Sequence, residues 1–410
     1  MMKTRRLQIA AMLIGVSGLL LAACSSSGTT SSSSDSSNKK TPYVVGFSDG
    51  LSGAIAAYAQ PELNDAKAVF NMVNAEGGIN GHPIKLDALD QGNPGSGKAP
   101  ANVNQLAQQD HASVIFGMAI SNDCESAMPV AAQDQVPLLC QHADTSQVIP
   151  PRKYLFVDTD IESAEVGSEL TMLHKMLPGV AHPRIVIFGN QNLGTEQWGK
   201  ALKAAAQKDG VTVLSEPFMS ETATSAAPQI SQIVSEHPDA VISELFGQFY
   251  PPLLTGLKNA GLDIPVIANS AGVFYSSFTS AYPKLAATFI GAPLEAGQYH
   301  NSSTVQALQA QMKKLGMTTT AAMNQGENSL NLIAPFAIVN ALKTCGFPCS
   351  GPKMADALNH VSLNIPGLFP NNYKYSASDH TGATGYVYYQ LNPSTNQLAP
   401  VSGVLPASKI

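Results

Sequence analysis

Ser121 and His142 are the pair in this sequence best suited to covalent chemistry, a hydroxyl and a base that could activate it. The patterns that usually present such groups are missing: there is no G-x-S-x-G elbow and no H-E-x-x-H. His142 then reads as a capping or packing residue. Ser121 also fits a role without catalysis. A helix is predicted just after it, over Ser126–Gln133. Ser121, or Asn122 with Glu125, can equally cap that helix. A second motif, Gly92-Asn93-Pro94-Gly95-Ser96-Gly97-Lys98, satisfies G-x₄-G-K. Ala99 and Pro100 follow, where a phosphate loop needs Ser or Thr to hold Mg²⁺, so a solvated loop is the better reading.

Cys24 stands apart from the other cysteines. Lys3, Arg5 and Arg6 precede an uncharged, mostly apolar stretch from Leu7 to Leu20. That is the layout of a secretory signal peptide, with a permanent anchor helix as the alternative. The small residues Ala22 and Ala23 favour cleavage. Leu21-Ala22-Ala23-Cys24 resembles the lipobox of a bacterial lipoprotein signal. The resemblance implies removal of residues 1–23 and acylation of Cys24; several acyl chains give a stable membrane anchor. Residues 24–41, nearly all serine and other small polar types, cannot offset the entropy of ordering. They make a flexible tether with a typical reach of roughly 20–25 Å.

The other four cysteines are Cys124, Cys140, Cys345 and Cys349. An even number in an exported chain suggests two disulfides, read here as the local pairs Cys124–Cys140 and Cys345–Cys349. A four-thiolate zinc site wants two close pairs, and only Cys345-x₃-Cys349 comes near. No metal or other cofactor is expected.

Apolar residues make up 44 % of the chain and charged ones only 13 %, so the core is easily built and the surface relies on neutral polar groups. Formal net charge is −6 with no basic run after Arg6, which argues against nucleic-acid binding. No second apolar stretch approaches the length of a membrane span.

Strand-like and helix-like segments alternate through residues 43–267. Apolar runs with β-branched residues fall at 43–47, 83–89, 113–116 and 136–139, and again at 184–188, 211–214, 240–243 and 265–267. Between them, residues such as Ile55, Ala59, Leu63, Ala66, Phe70 and Val73 recur at helical spacing. Two successive βα series predict an α/β protein with two doubly wound parallel sheets, divided near Asp158. After residue 289 the pattern changes to helices over 305–315, 330–342 and 353–359, then a hairpin-like tail. Ligands in such sheets sit beyond the carboxyl ends of the strands, and two facing lobes make a cleft.

Asn74-Ala75-Glu76-Gly77-Gly78-Ile79-Asn80-Gly81-His82-Pro83 resembles the "GGING" signature of type I periplasmic binding proteins, in the branched-chain amino-acid (leucine, isoleucine, valine) binding branch. Ala56-Ala57-Tyr58, the segment 117–121 and Gln191-Asn192-Leu193-Gly194 extend the similarity. The resemblance implies two Rossmann-like lobes joined by a three-crossing hinge, 42–157 with 293–365 and 158–292 with 366–410. It implies a monomeric lipoprotein on the extracytoplasmic face of the cell membrane. Such a protein delivers a small solute to the permease of an ABC transporter and is no enzyme. A sensor domain serving a membrane receptor, or an amidase or hydrolase on the same scaffold, are the alternatives.

The ligand site implied by the resemblance comprises Tyr58 as an aromatic wall, Ser121 as a carboxylate clamp and Ala143 as a backbone contact. Asp144 stands where a Thr is usual, either facing an ammonium or capping a turn. Leu193 replaces a family Tyr, and Phe249 and Tyr250 fall near another aromatic position. The family's acidic residue for an ammonium group has no counterpart in Asn269-Ser270-Ala271. Asp144 or Glu244 takes that role, or the ligand lacks an ammonium and is an amide, a carboxylic acid or an aromatic acid.

Overall fold

The computed structural model describes residues 40–245, 249–269, 289–291, 303–316, 329–365, 369–392 and 397–408. Cys24, the signal, nearly all of the tether, Ser270 and the expected crossing near Pro293 lie outside the described residues.

The first sheet is parallel throughout. It contains β1 (Tyr43–Asp49), β2 (Ile84–Asp90), β3 (Val114–Gly117), β4 (Leu138–His142) and β5 (Leu155–Asp160), in the order β2-β1-β3-β4-β5. Interior strands of a parallel sheet are covered on both faces and read as unbroken apolar runs. β3, VIFG, is buried at every residue for that reason. β5, LFVDTD, has polar residues at its far end, and the sequence patterning does not mark it as a strand. The connecting helices are α1 (Ala56–Ala75), α2 (Ala99–Asn104), α3 (Ser121–Asp134) and the short α4 (Thr145–Val148).

α1 buries Leu63, Ala66, Val69 and Phe70 against the sheet. The Asn74–Pro83 signature then turns the chain into β2. Gly78, at φ 75°, donates its N–H to Val73, and a Cβ there would lie 2.2 Å from the His82 carbonyl, so only glycine fits. Asn74 locks the turn: its Oδ1 accepts from the Ile84 N–H at 2.7 Å and its Nδ2 donates to the Ile84 carbonyl at 2.8 Å.

The chain enters the second lobe between β5 and α5 (Glu162–Met176). There β6 (Arg184–Gln191), β7 (Thr212–Ser215), β8 (Phe218–Ser220), β9 (Ala240–Glu244), β10 (Val266–Ala268) and β11 (Phe289–Gly291) alternate with α6 (Leu193–Lys208), α7 (Ala227–Glu236) and α8 (Tyr250–Asn259). The parallel order is β7-β6-β9-β10-β11, with β8 also pairing β6. The fully buried Trp198 of α6 donates to both oxygens of Glu169 on α5, at 3.1 and 3.0 Å.

α9 (Ser303–Lys314) and α10 (Ser329–Cys345) pack on α1, so the chain has returned to the first lobe after β11. α11 (Gly351–Leu358) follows, then an antiparallel sheet of β12 (Ser362–Ile365), β13 (Phe369–Ser376) and β14 (Asp379–Ala383). This sheet lies on β5, and the hydroxyls of Tyr373 and Tyr375 both donate to the Val157 carbonyl. The hairpin therefore packs on the first sheet. β15 (Gly385–Tyr386), β16 (Tyr389–Asn392), β17 (Gln397–Pro400) and β18 (Leu405–Pro406) complete the chain, with β16 pairing antiparallel to β11 and β17 to β16.

Both local disulfides form. Cys124–Cys140 ties α3 to β4 with 6.0 Å between Cα atoms, and Cys345–Cys349 closes the end of α10 at 5.7 Å. The first spans 16 residues and the second 4. Loop-closure entropy then predicts losses of about 3 kcal/mol for the Cys124→Ser, Cys140→Ser double variant and about 2 kcal/mol for Cys345→Ser, Cys349→Ser. Urea unfolding of the two variants measures this, and the reverse ranking contradicts it.

Candidate functional site

Strand order reverses between β1 and β3 in the first sheet and between β6 and β9 in the second. The carboxyl ends at such switch points are where α/β sheets bind ligands. A single cleft joins both. The first lobe lines it with Ile55, Tyr58, Ala119, Ile120, Ser121 and His142. The second contributes Glu162, Asn190, Asn192, Glu244 and Leu245. The space between them is about 470 Å³, including the mouth open to solvent.

The starts of α3 and α6 meet at this cleft. α3 is preceded by Ile120, which offers no side-chain cap, and the expected capping of α3 by Ser121 or Asn122 with Glu125 does not form. Both side chains cap the helix of the other lobe instead. Asn122 Oδ1 accepts from the Leu193 N–H and Ser121 Oγ accepts from the Gly194 N–H, each at 3.0 Å. Asn192 completes the set by accepting from the Thr195 N–H at 2.9 Å, while Ser121 Oγ donates to Asn192 Oδ1 at 3.4 Å. Ser121 is thus engaged with α6. Glu162 lies against the same turn: a Cβ on Gly194 would come within 2.5 Å of its Oε1. His142 Nδ1 faces Glu162 Oε1 at 3.3 Å. A register slip between β4 and β5, just before His142, re-aims that strand end.

Other expected contacts take different places. Ala143 is fully buried in the core of the first lobe. Asp144 is the N-cap of α4: its carboxylate accepts from the Ser146 N–H at 2.5 Å, and Gln147 reaches back to the Asp144 N–H at 2.9 Å. That capping box commits Asp144 to the turn. Leu193 contributes its N–H rather than its side chain. Phe249 and Tyr250 are packed in the core of the second lobe, with the Tyr250 hydroxyl accepting from the Leu245 N–H at 3.4 Å. Tyr250 supports the lining from beneath and offers no ring to a ligand. The phosphate-loop lookalike serves the site indirectly, since the Gly95 N–H donates to Asp123 of α3 at 3.1 Å.

A group of buried carboxyls underlies the first-lobe wall. Asp49 ends β1, and it accepts from the Gly50 N–H at 2.7 Å and from the Ala119 N–H. It thereby fixes the loop that carries Ala119 to Ser121. Burial pushes its pKa up to about 7, those hydrogen bonds opposing, with Asp123 adding and His142 opposing. Glu62 faces Asp49 at hydrogen-bonding range, and burial and the neighbouring Asp49, Asp158 and Asp65 charges hold its carboxyl well above the ordinary range. Burial likewise raises Asp158, with His142 opposing. In the second lobe burial raises Glu221 to about 7 against a hydrogen bond from Asn192. Among the described residues, no group of His, Cys, Asp or Glu has the arrangement of a metal site.

A family model for periplasmic binding proteins matches residues 42–397. The chain belongs to that family. No curated protein matches the sequence. Among solved structures of periplasmic binding proteins, a branched-chain amino acid ABC transporter protein from Thermus thermophilus with bound valine aligns with a TM-score of 0.76 at 13 % identity, covering 90 % of this chain and 97 % of that one. LivJ, the branched-chain amino acid transporter substrate-binding protein of Streptococcus pneumoniae, in complex with isoleucine, gives 0.69 at 17 %, covering 90 % and 100 %. A solute-binding protein from R. palustris in complex with 4-hydroxybenzoate gives 0.71 at 15 %, covering 90 % and 97 %. At these identities the likeness is one of fold: two α/β lobes of the type I periplasmic binding class. Proteins of this family bind small solutes and work with ABC permease components. No helix among the described residues is long and apolar enough to cross a membrane.

Glu162, Asn190 and Leu245 were not named as site residues from the sequence, and His142 was weighed only as a base for Ser121, because each looks locally like a strand end or a helix start. Their one available signal was position, at the carboxyl ends of β4, β6 and β9 and the start of α5.

The buried acids generate a pH prediction. In the unfolded chain Asp49, Glu62 and Asp158 ionise near pH 4. Above about pH 4 the unfolded state releases protons that the folded state keeps, so this group's contribution to stability falls as pH rises, for Asp49 up to about pH 7. Glu62→Gln, which cannot ionise, should flatten the fall and leave the variant the more stable protein at pH 8. Urea unfolding at pH 5 and pH 8 decides; an unchanged pH slope in the variant contradicts the reading.

Proposed function

We propose that this protein is the solute-binding lipoprotein of an ABC uptake transporter, capturing a small amino acid or related organic solute by hinge closure. The observation that carries the reading is the cleft lined from both lobes at their switch points, bridged by side chains of α3 that cap α6. Ligand bound on one lobe gains contacts from the other only when the cleft is closed, so binding shifts the open–closed equilibrium. Cys24 anchors the chain to the extracytoplasmic face of the membrane through lipid, and the serine tract gives the lobes reach to the permease. The first lobe comprises the first sheet with α1 to α4, α9 to α11 and the β12–β14 sheet; the second comprises the second sheet with α5 to α8, β15 and β18. The protein acts as a monomer and carries out no chemistry on its ligand. Structural neighbours carry bound valine, isoleucine and 4-hydroxybenzoate, small solutes of the class proposed.

A thermal-shift screen of the protein lacking residues 1–39 tests this, using branched-chain amino acids, short amides, urea and aromatic acids. A ligand at 100 Kd adds about 2.7 kcal/mol of stability, and small-angle scattering should show compaction with it. Absence of any shift across the panel, with no compaction, sinks the reading. Asn122→Ala removes one bridge between the lobes and should weaken the ligand found by about fivefold, since one such hydrogen bond contributes on the order of 1 kcal/mol. Unchanged affinity in titration calorimetry would show that the bridge plays no part in closure.

A further inference from the structure

The chain joins the first sheet at its amino edge, the edge opposite the cleft. Lys40 stands just before β1, and its Nζ donates to the Asn80 carbonyl at 3.0 Å. All five strands of that sheet run parallel, so the segments that precede them share this edge. Hydrogen bonds join those segments: the Tyr43 N–H donates to the Pro83 carbonyl at 2.8 Å, and the Leu138 N–H to the Tyr154 carbonyl at 2.9 Å. β1 and β5 stand three strand spacings apart, about 14 Å.

Two apolar features open on this edge. Phe347, 39 % exposed, projects from the loop that the Cys345–Cys349 disulfide closes. Its ring stacks on His82 at 3.7 Å and meets Tyr43 edge-on at 5.2 Å, which holds it beside the start of β1. At the β5 end, Met128, Ala132 and Leu155 line a groove of about 430 Å³ together with Arg152, Lys153 and Tyr154. Each feature has exposed cations beside it. Lys40 and Lys353 flank the Phe347 loop, with Lys353 Nζ 3.5 Å from the Pro348 carbonyl. Arg152 and Lys153 stand at the groove, with Lys153 Nζ 5.5 Å from the centre of the Tyr154 ring. Glu76, Asp110 and Asp134 are the acids at the helix ends of this edge, and Asn104 donates to Asp134 at 3.1 Å.

We propose that the amino edge of the first lobe rests on an anionic lipid surface, with Phe347 in the headgroup layer and lipid phosphates against Lys40, Arg152, Lys153 and Lys353. The proposal rests on the lipid-anchored reading above and adds an orientation to it. The chain outside the described residues carries the argument. Residues 24–39 lead from the lipidated Cys24 to Lys40, with a reach of roughly 20–25 Å. The edge that holds Lys40 is therefore the part of the lobe kept nearest the membrane. Apolar side chains with Lys and Arg beside them suit the boundary between headgroups and hydrocarbon. Each such cation near an anionic leaflet adds an attraction that salt screens. The cleft opens at the other end of the same strands, so this contact leaves the second lobe free to swing in closure.

Residues 40–410 form a compact unit of their own, and that lipid-free protein is the one to test. Co-sedimentation compares vesicles of equal parts phosphatidylglycerol and phosphatidylcholine with vesicles of phosphatidylcholine alone. The anionic vesicles should bind it about tenfold more tightly or better, and raising salt from about 50 to about 500 mM should reverse most of that binding. The Lys153→Gln, Lys353→Gln double variant should weaken binding by about tenfold or more. Phe347→Ser should weaken it by about fivefold. Lys200→Gln, exposed on α6 of the second lobe, should leave it unchanged. Circular dichroism checks that each variant folds. No binding to the anionic vesicles overturns the proposal and leaves the anchoring reading standing, which the mass of an acylated Cys24 in the mature chain judges separately. Equal binding to both vesicle types overturns it, as does binding that neither the double variant nor Phe347→Ser weakens. Self-association abolished by Phe347→Ser, without vesicle binding, would assign the edge to a second copy of the chain and overturn it too.

Discussion

The first turn of α6 needs acceptors for its backbone N–H groups, and the other lobe supplies two of them. Every helix begins with such donors, and a helix start buried without partners is destabilising. Here Asn192 satisfies one locally, and Ser121 and Asn122 reach across from α3 to satisfy the next two. The arrangement sets the depth of the cleft, since the lobes approach until these bonds form. It also engages the first N–H groups of α6, which would otherwise be open to an anion. What remains exposed to a ligand is the ends of β3, β4, β6 and β9 and the start of α5.

The first lobe accepts buried carboxyls to hold its side of that contact in place. Asp49 gathers the N–H groups of Gly50 and Ala119, which joins the loop after β1 to the loop after β3. Gly117 permits the close approach: at φ 105°, with a Cβ position 2.7 Å from the Ser48 carbonyl, it brings the two loops against each other. Ser121 is four residues further on. Burying Asp49 with Glu62 and Asp158 opposes folding at neutral pH, and two disulfides and a large apolar core work in the other direction. Stability given up to position a binding site is a common trade.

Where local chemistry decides the structure, the sequence was readable. The Asn74–Pro83 turn follows from glycine conformations and one asparagine side chain. The cysteine pairs are close along the chain. The inner strands β3, β6 and β9 are carried by apolar runs. Where structure depends on what meets in space, the reading stopped short. β5 ends in Asp158 and Asp160, and its place is secured by Tyr373 and Tyr375 from more than 200 residues away. Those tyrosines also hold β13 and β14 against the first sheet. Phe249 and Tyr250 looked like ligand aromatics, but rings near a strand end are as readily buried beneath it. Asp144 is the instructive case: Asp144-x-x-Gln147 is a capping signature in plain view, and the capping reading of that residue is the one the turn adopts.

Closure and selectivity are carried by different residues, and this separates what the architecture determines from what a few side chains determine. Ser121, Asn122 and the backbone of 193–195 join the lobes through hydrogen bonds that involve no ligand atom. Glu162, Glu244 and Leu245 face the cleft without bridging α3 to α6. A fold of this kind therefore hosts many ligands, since the lining can change while the hinge and its bridge stay as they are. Glu162 is the exception that links the two sets. It lies against Gly194 in the bridge, faces His142 across the lobes and lines the cleft, so a charge bound beside it acts on closure and on recognition at once.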